Sequence, residues 1–270
     1  MRTTARSIIV LYFYPMNFLS QTKFWVLCLG VTSLSSCAQQ PDFSGNCEAP
    51  DHSTWSELLK SHVDSTGWVS YKDFVKDSVK LQTYLSILSS CPPNKNWTEN
   101  ERIAYWINAY NAFTIKLIVD HYPVVSIKDV KRSIPFINSV WNMSFFEIGG
   151  KKMNLSEIEH SILRKEFNEP RIHFAIVCAS FSCPRLLNEA YEANKLDSQL
   201  VLQTKNFIND NNKNEIEADE IRISSIFKWF KDDFTNNGTI QEFIQPFSER
   251  DFTRSAKVKY LDYNWSLNGK

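Results

Sequence analysis

The chain has 270 residues, 43% apolar and 22% charged, enough to bury a sizeable core in one large domain or two small ones. Lysine plus arginine equals aspartate plus glutamate at 30 each, so no long-range field draws in nucleic acid. Seven glycines, with no GxGxxG or GxxxxGKS/T run, argue against the common nucleotide-binding loops, which need the backbone to approach phosphate.

The front of the chain reads as an address. From Met16 there is a short polar segment with Lys23, then an apolar run from Phe24 to Leu34, then small residues. The run is too short to span a bilayer and fits the hydrophobic region of a secretory signal. Leu34-Ser35-Ser36-Cys37 resembles a bacterial lipobox, in which the cysteine is lipidated and begins the mature chain. The expected layout is a signal peptide over 1–36, a polar, proline-bounded tether over 37–50, and one domain over 51–270. Such a protein works outside the cytoplasm, held to a membrane through a lipid on Cys37. Ala38 in place of an aspartate fits the outer membrane where the cell has one; the alternative is a plain signal peptide. In an oxidising compartment Cys47, Cys91, Cys178 and Cys183 can pair in three ways. Cys47 with Cys91 and Cys178 with Cys183 is the simplest, each pair being near in sequence, although sequence alone does not decide it.

After residue 50 the order of elements is helix-rich. "TWSELLKSHV" predicts a helix capped by Thr54, "GWVSYKDF" a turn and short strand into another helix, and "SVKLQTYLSILSS" a helix ended by Cys91-Pro92-Pro93. The clearest helix lies between Thr98 and Pro123, with Thr98 and Glu101 as a capping box. It is polar only along Arg102, Lys116 and Asp120, so it is predicted to be buried. Asn108 and Asn111 then need internal partners: they tie the helix to a neighbouring loop, or they line a polar pocket. "NLSEIEHSILRKEF" is a second clear helix, in which Ser156 with Glu159 forms another candidate capping box and His160 is half buried. A helix over 188–211, a strand into a helix over "EIRISSIFKWFKDDF", a helix at "TIQEFIQPF" and an edge strand in "KVKYLDYNWSLN" complete the series. Few, late and irregularly interleaved strands indicate an α+β class: a helix-rich single domain with a small, mainly late-occurring sheet.

The segment "RIHFAIVCASFSCP" carries the chemistry. It is predicted to start as a strand and break into a loop with Cys178, Ser180, Ser182 and Cys183. A cysteine nucleophile needs a nearby histidine or other cation and donors for an oxyanion. On a regular strand His173 and Cys178 face opposite sides, so a bulge or an early strand end would be needed to pair them; His160, from another helix, is the freer partner. Four readings stay open: a disulfide or buried thiols; a Cys–His hydrolase or acyl transferase with Cys178 as nucleophile and Cys183 second; a redox pair of unusual CxxxxC spacing; and a metal site of His160, His173 and a cysteine or Glu159. Ser180 and Ser182 read as loop-closing hydroxyls, since no GxSxG elbow surrounds them.

Taken together, "GWVSY", "AYWINAYNAFTIKLIVDHYP", "EIEHSILR", "EPRIHFAIVCASFSCP", "SSIFKWFKDDF" and "YLDYNWSLN" resemble the family called domain of unknown function 547, from about Gly67 to Asn268. Bacterial members are often secreted proteins or lipoproteins, which agrees with the front end; the family implies no settled activity. Ala179 stands where the family pattern has a glycine, and Asn264 where it has an aspartate that could orient a histidine; an asparagine can still orient, with less charge stabilisation. A buried helix followed by a histidine-bearing strand is also distantly similar to transglutaminase and papain-like architecture, although there the cysteine heads the helix. The expectation is a pocket of Asn108, Asn111, Glu159, His160, His173 and Cys178 supporting thiol-dependent acyl chemistry on a peptide or amide, with Ser180 and Cys183 beside it. Its alternative is a non-catalytic envelope binding or scaffold module with a satisfied polar core. The expected partner is a peptide, glycan or protein of the cell envelope, with no cofactor, no metal and no nucleic acid.

Overall fold

The computed structural model describes residue 43 and residues 45–130 and 139–270. The expected signal peptide, the lipidation site Cys37 and half of the tether lie outside the described residues. The tether's last residues are held to the domain: Cys47 is disulfide-bonded to Cys91, and its carbonyl accepts from Asn94 and from the Trp97 indole.

The fold is built around one buried helix. Helices α1 (Ser53–His62), α2 (Tyr71–Lys76) and α3 (Ser78–Ser90) pack beside α4 (Glu99–His121), and the short α5 (Ile127–Val130) follows. Thr98 and Glu101 form the expected capping box on α4, and Lys116 pairs with Asp120 on its wet stripe. Almost every other side chain from Ile103 to Val119 is buried, as a helix apolar nearly all round must be. At α1 the expected cap by Thr54 is replaced by Asp51, whose carboxylate takes the backbone N–H and hydroxyl of Ser53 at 2.8 and 2.7 Å.

Beyond α4 comes an unpredicted hairpin, β1 (Phe146–Ile148) and β2 (Lys151–Met153), turned by Gly149 and Gly150, both at positive φ. A π-helical stretch, Glu157–Leu163, runs into α6 (Arg164–Glu166). The segment expected to be a strand is instead a 3₁₀ turn, Pro170–Phe174. Pro170 opens it, where its missing N–H costs nothing, and the Glu169 carboxylate caps it by accepting from the Arg171 N–H. The helix expected over 188–211 is confined to α7 (Leu196–Ile208).

The late sheet is as expected. Strands β3 (Glu215–Ile216), β4 (Glu220–Ser224) and β5 (Lys257–Leu261) are ordered β3-β4-β5, antiparallel then parallel, with β5 at an edge. Between β4 and β5 lie α8 (Ile226–Trp229), α9 (Lys231–Thr235) and α10 (Ile240–Ile244). A second core of Phe174, Phe207, Phe227 and Phe234 with Ile221 and Ile223 fills this half, beside the larger one around α4. The tail then returns to the first helices: Gly269 pairs with Val69 so closely that a Cβ there would meet the Val69 carbonyl oxygen at 2.1 Å. The domain is thus a helix-rich α+β domain, and among its described residues no helix is long and apolar enough to cross a membrane.

Candidate functional site

The site grows from the turn at Pro170–Phe174. Because this segment is not a strand, the alternation that set His173 and Cys178 on opposite faces does not apply. The chain past the turn is fixed by α4: the Asn111 amide donates to the Ala175 carbonyl at 2.9 Å and its oxygen accepts from the Val177 N–H at 2.8 Å. Asn108 does the same for Tyr191, at 2.8 and 2.9 Å. Both asparagines are buried and fully engaged with backbone, and neither lines the pocket. Their expected placement as pocket lining is therefore corrected to that of tie bars between α4 and two loops.

Cys178 and Cys183 are joined in a disulfide, as the simplest pairing anticipated. Between them Ala179 sits in the left-handed region at φ 57°, a conformation in which a Cβ is strained. The residue type that resemblance led one to expect there, glycine, would carry no such penalty. Ser180 is fully buried, and its hydroxyl donates to the Tyr263 oxygen at 3.1 Å. The Tyr263 hydroxyl in turn touches both sulfurs, at 3.3 Å from Cys178 Sγ and 3.2 Å from Cys183 Sγ. The Ser182 hydroxyl accepts from the Asn264 N–H at 2.9 Å, which ties the loop to the tail. The Asn264 side-chain oxygen accepts from the Ser266 N–H and hydroxyl, and among the described residues no histidine hydrogen-bonds to Asn264.

The group that does orient a histidine is Asp233, on α9, which sequence reasoning did not single out. His173 Nε2 lies 2.7 Å from Asp233 Oδ2, and Arg164 grips the same carboxylate through Nε at 2.6 Å and Nη2 at 2.9 Å. Burial would raise the Asp233 pKa, but the bonds from His173 and Arg164 outweigh it and hold the carboxyl well below its usual range. Burial holds His173 below the ordinary imidazole value in spite of Asp233. Nε2 faces the Asp233 carboxylate, which can only accept when ionised, so Nε2 carries the donated proton, while Nδ1 is buried without a hydrogen-bond partner. The ring stacks on Phe230 at 4.0 Å between centroids. His160 is more exposed and accepts from Arg164 Nη1 at 3.1 Å; burial, then the Arg164 charge, lowers its pKa.

Glu159 is also placed differently from expectation. The box at the start of its helix is made by Asn154 and Glu157, which bond reciprocally at 2.9 Å, and Ser156 makes no cap. Glu159 is thus free to turn inward, where the Tyr110 hydroxyl donates to it at 3.2 Å. Burial raises its pKa to about 7, against the Tyr110 bond and the Arg164 charge. The π-helical winding that points Glu159 inward is of a kind often found at functional sites.

These groups meet at a cavity of about 390 Å³. Glu159, His160, His173, Cys178 and Cys183 all line it, which brings together five of the residues singled out in the sequence; Ser180, Asn108 and Asn111 stand behind it. Half of its remaining lining is aromatic: Tyr110, Trp141, Trp229, Phe230, Tyr263 and Trp265. Trp265 lies at their centre, 5.8 Å from Trp229, 5.6 Å from Trp141 and 4.5 Å from Tyr263. The sequence signal for these was the abundance of tryptophan, which names no position. Cys178 Sγ is bonded to Cys183 and otherwise meets the hydroxyls of Ser180 and Tyr263; among the described residues neither histidine hydrogen-bonds to it. Among the described residues no three His, Cys, Asp or Glu side chains form a group able to hold a metal ion.

A helix-rich α+β domain with an aromatic pocket walled by a disulfide loop is the class that fold and site define. The family model described as "Protein of unknown function, DUF547" matches residues 94–208, in agreement with the resemblance carried by the sequence motifs. The matched segment carries α4, the π-helical turn and the cysteine loop, while Asp233 and the aromatic wall from Trp229 to Trp265 lie outside it. Neither the curated proteins nor the solved structures yielded a match. The transglutaminase and papain-like analogy also loses its premise, since His173 sits on a 3₁₀ turn and no cysteine heads α4.

Proposed function

We propose that the chain is a lipid-anchored, extracytoplasmic binding module whose pocket takes a saccharide segment of the cell envelope. The observation that carries this reading is the indole wall, with Trp229 and Trp265 stacked at an interplanar angle of 23° and Trp229 substantially exposed. Flat aromatic faces suit the apolar face of a sugar ring, and Glu159, His160, Asn142 and Ser156 supply polar groups around the same cavity for its hydroxyls. Titration with soluble envelope oligosaccharides, followed by tryptophan fluorescence, tests it. Saturable quenching that weakens about tenfold or more in Trp265→Ala supports the reading, a loss of about 1.4 kcal/mol. No saturable signal with any saccharide up to millimolar concentration, or equal affinity in the variant, overturns it.

Thiol-dependent acyl chemistry on a peptide or amide is the second reading, favoured by Cys178, Glu159, His160 and His173 lining one cavity. It requires the disulfide to be opened first, and a base to approach a sulfur that no imidazole now touches. Iodoacetamide labelling of the reduced, folded chain across pH separates the two. A Cys178 alkylated fast near neutral pH supports acyl chemistry; one alkylated no faster than a free thiol removes it.

A further inference from the structure

We propose that Cys178 and Cys183 form a thiol–disulfide exchange centre that accepts two electrons from a dithiol presented at the pocket, with Cys178 the sulfur attacked and Cys183 the sulfur that leaves.

The first observation is that the disulfide is redundant as a staple. It bridges a separation of only 5 residues. The loop that carries it is already pinned from outside by backbone bonds that do not involve sulfur. The Phe181 N–H donates to the Ser266 carbonyl at 2.7 Å, Ser182 to Asn264 at 3.2 Å, and Asn268 to Ala179 at 3.3 Å. Asn111 holds the entry to the loop at Val177. Opening the S–S bond leaves all of these in place, so the loop has no need of the bond to keep its shape.

The second observation is an asymmetry between the two sulfurs. Both line the cavity, but Cys178 is half-buried whereas Cys183 is only 3% exposed. A thiolate from the pocket therefore reaches Cys178 more easily. Both sulfurs meet the Tyr263 hydroxyl, at 3.3 Å from Cys178 Sγ and 3.2 Å from Cys183 Sγ, but only Cys183 Sγ also accepts from a backbone N–H, that of Cys178 at 2.9 Å. Tyr263 itself accepts from Ser180, which turns its proton toward sulfur. Burial holds the Tyr263 phenol well above its ordinary pKa, so it remains a donor. Donors around a sulfur favour its thiolate, and a better thiolate is a better leaving group.

A thiolate of the partner attacks Cys178 Sγ; the Cys178–Cys183 bond breaks, a mixed disulfide forms on Cys178, and Cys183 leaves as a thiolate that takes a proton from water. The partner's second thiolate attacks its own sulfur in the mixed disulfide, closing a disulfide in the partner and releasing Cys178 as a thiolate, which is protonated in turn. Two electrons and two protons pass from the dithiol to the chain.

The test uses the folded, oxidised chain. Dithiothreitol is added in graded amounts, thiols are trapped with N-ethylmaleimide, and the trapped sites are read by mass spectrometry while circular dichroism reports the fold. Separately, glutathione is used as a monothiol and the mixed disulfide located. The expected results are opening of the pair with the fold intact, and glutathione on Cys178 over Cys183 by about tenfold or more. In Tyr263→Phe the pH midpoint for Cys183 alkylation rises by about one unit and exchange slows several-fold. Opening only where the fold is lost, or glutathione predominantly on Cys183, overturns the proposal. Unchanged rate and midpoint in Tyr263→Phe remove the donor-assisted leaving group; the glutathione result needs no variant and stands independently of how that one folds.

Discussion

Replacing Glu159 by glutamine should make the protein more stable at alkaline pH and leave it nearly unchanged in acid. The carboxyl is 8% exposed, and burial raises its pKa from 4.5 to about 7. In the unfolded chain it ionises near its ordinary value. A group whose pKa is higher in the folded state contributes stability below about pH 4.5 that is lost as pH climbs through 7. At about 1.4 kcal/mol for each pH unit of difference, the full loss is about 3 kcal/mol, a large part of a typical domain's margin. Glutamine keeps the shape and an oxygen able to accept from Tyr110, and it never has to carry a buried charge. Urea unfolding of both proteins at pH 4 and pH 8.5 measures this. Near coincidence at pH 4 and a gap of about 3 kcal/mol in favour of Glu159→Gln at pH 8.5 are expected. An equal gap at both pH values would refute the reasoning, because the buried carboxyl would then not be titrating.

Asn111→Ala should cost about 4 kcal/mol, since it leaves the buried Ala175 carbonyl and Val177 N–H unpaired at about 1–3 kcal/mol each together with lost packing. Urea unfolding of that variant giving less than about 1 kcal/mol would mean that water or a backbone shift re-pairs both groups. Removing the Cys47–Cys91 bridge, with both residues changed to alanine, should cost about 4 kcal/mol by loop-closure entropy over a separation of 44. Removing Cys178–Cys183 in the same way should cost only about 2 kcal/mol, its separation being 5. The order of the two losses in non-reducing urea melts is the check, and the reverse order would contradict the view of the shorter bridge as a weak staple.

How far the sequence shows this structure differs from element to element. Helix α4 is legible because three local signals agree: the Thr98–Glu101 box, a narrow polar stripe and Pro123. The 170–178 segment is not, because a short apolar run with isoleucine and valine suits strand and turn alike. The signal that could have decided it is Glu169-Pro170, a capping carboxylate ahead of a proline at the first helical position. At Glu159 two overlapping boxes compete, Asn154 with Glu157 and Ser156 with Glu159, and only packing chooses between them. Asp233 was invisible for a different reason. It is 60 residues from His173, and nothing in "KWFKDDF" marks its second aspartate over its first. The candidate site was thus readable where its residues cluster along the chain and unreadable where the fold brings them from afar.

The segment from Tyr263 to Gly269 has a consequence for the order in which the molecule comes into being. It hydrogen-bonds the cysteine loop through Asn264 and Ser266 and the start of α2 through Asn268 and Tyr71, while Tyr263 and Trp265 form part of the pocket wall. All of its partners are synthesised earlier, some by about two hundred residues (Tyr71 to Asn268 is 197). A nascent chain that has already gathered α4 and its neighbours still lacks one side of its cavity and the hydroxyl beside its sulfurs. Until this ribbon is laid across it, the loop stays open to thiols and oxidants.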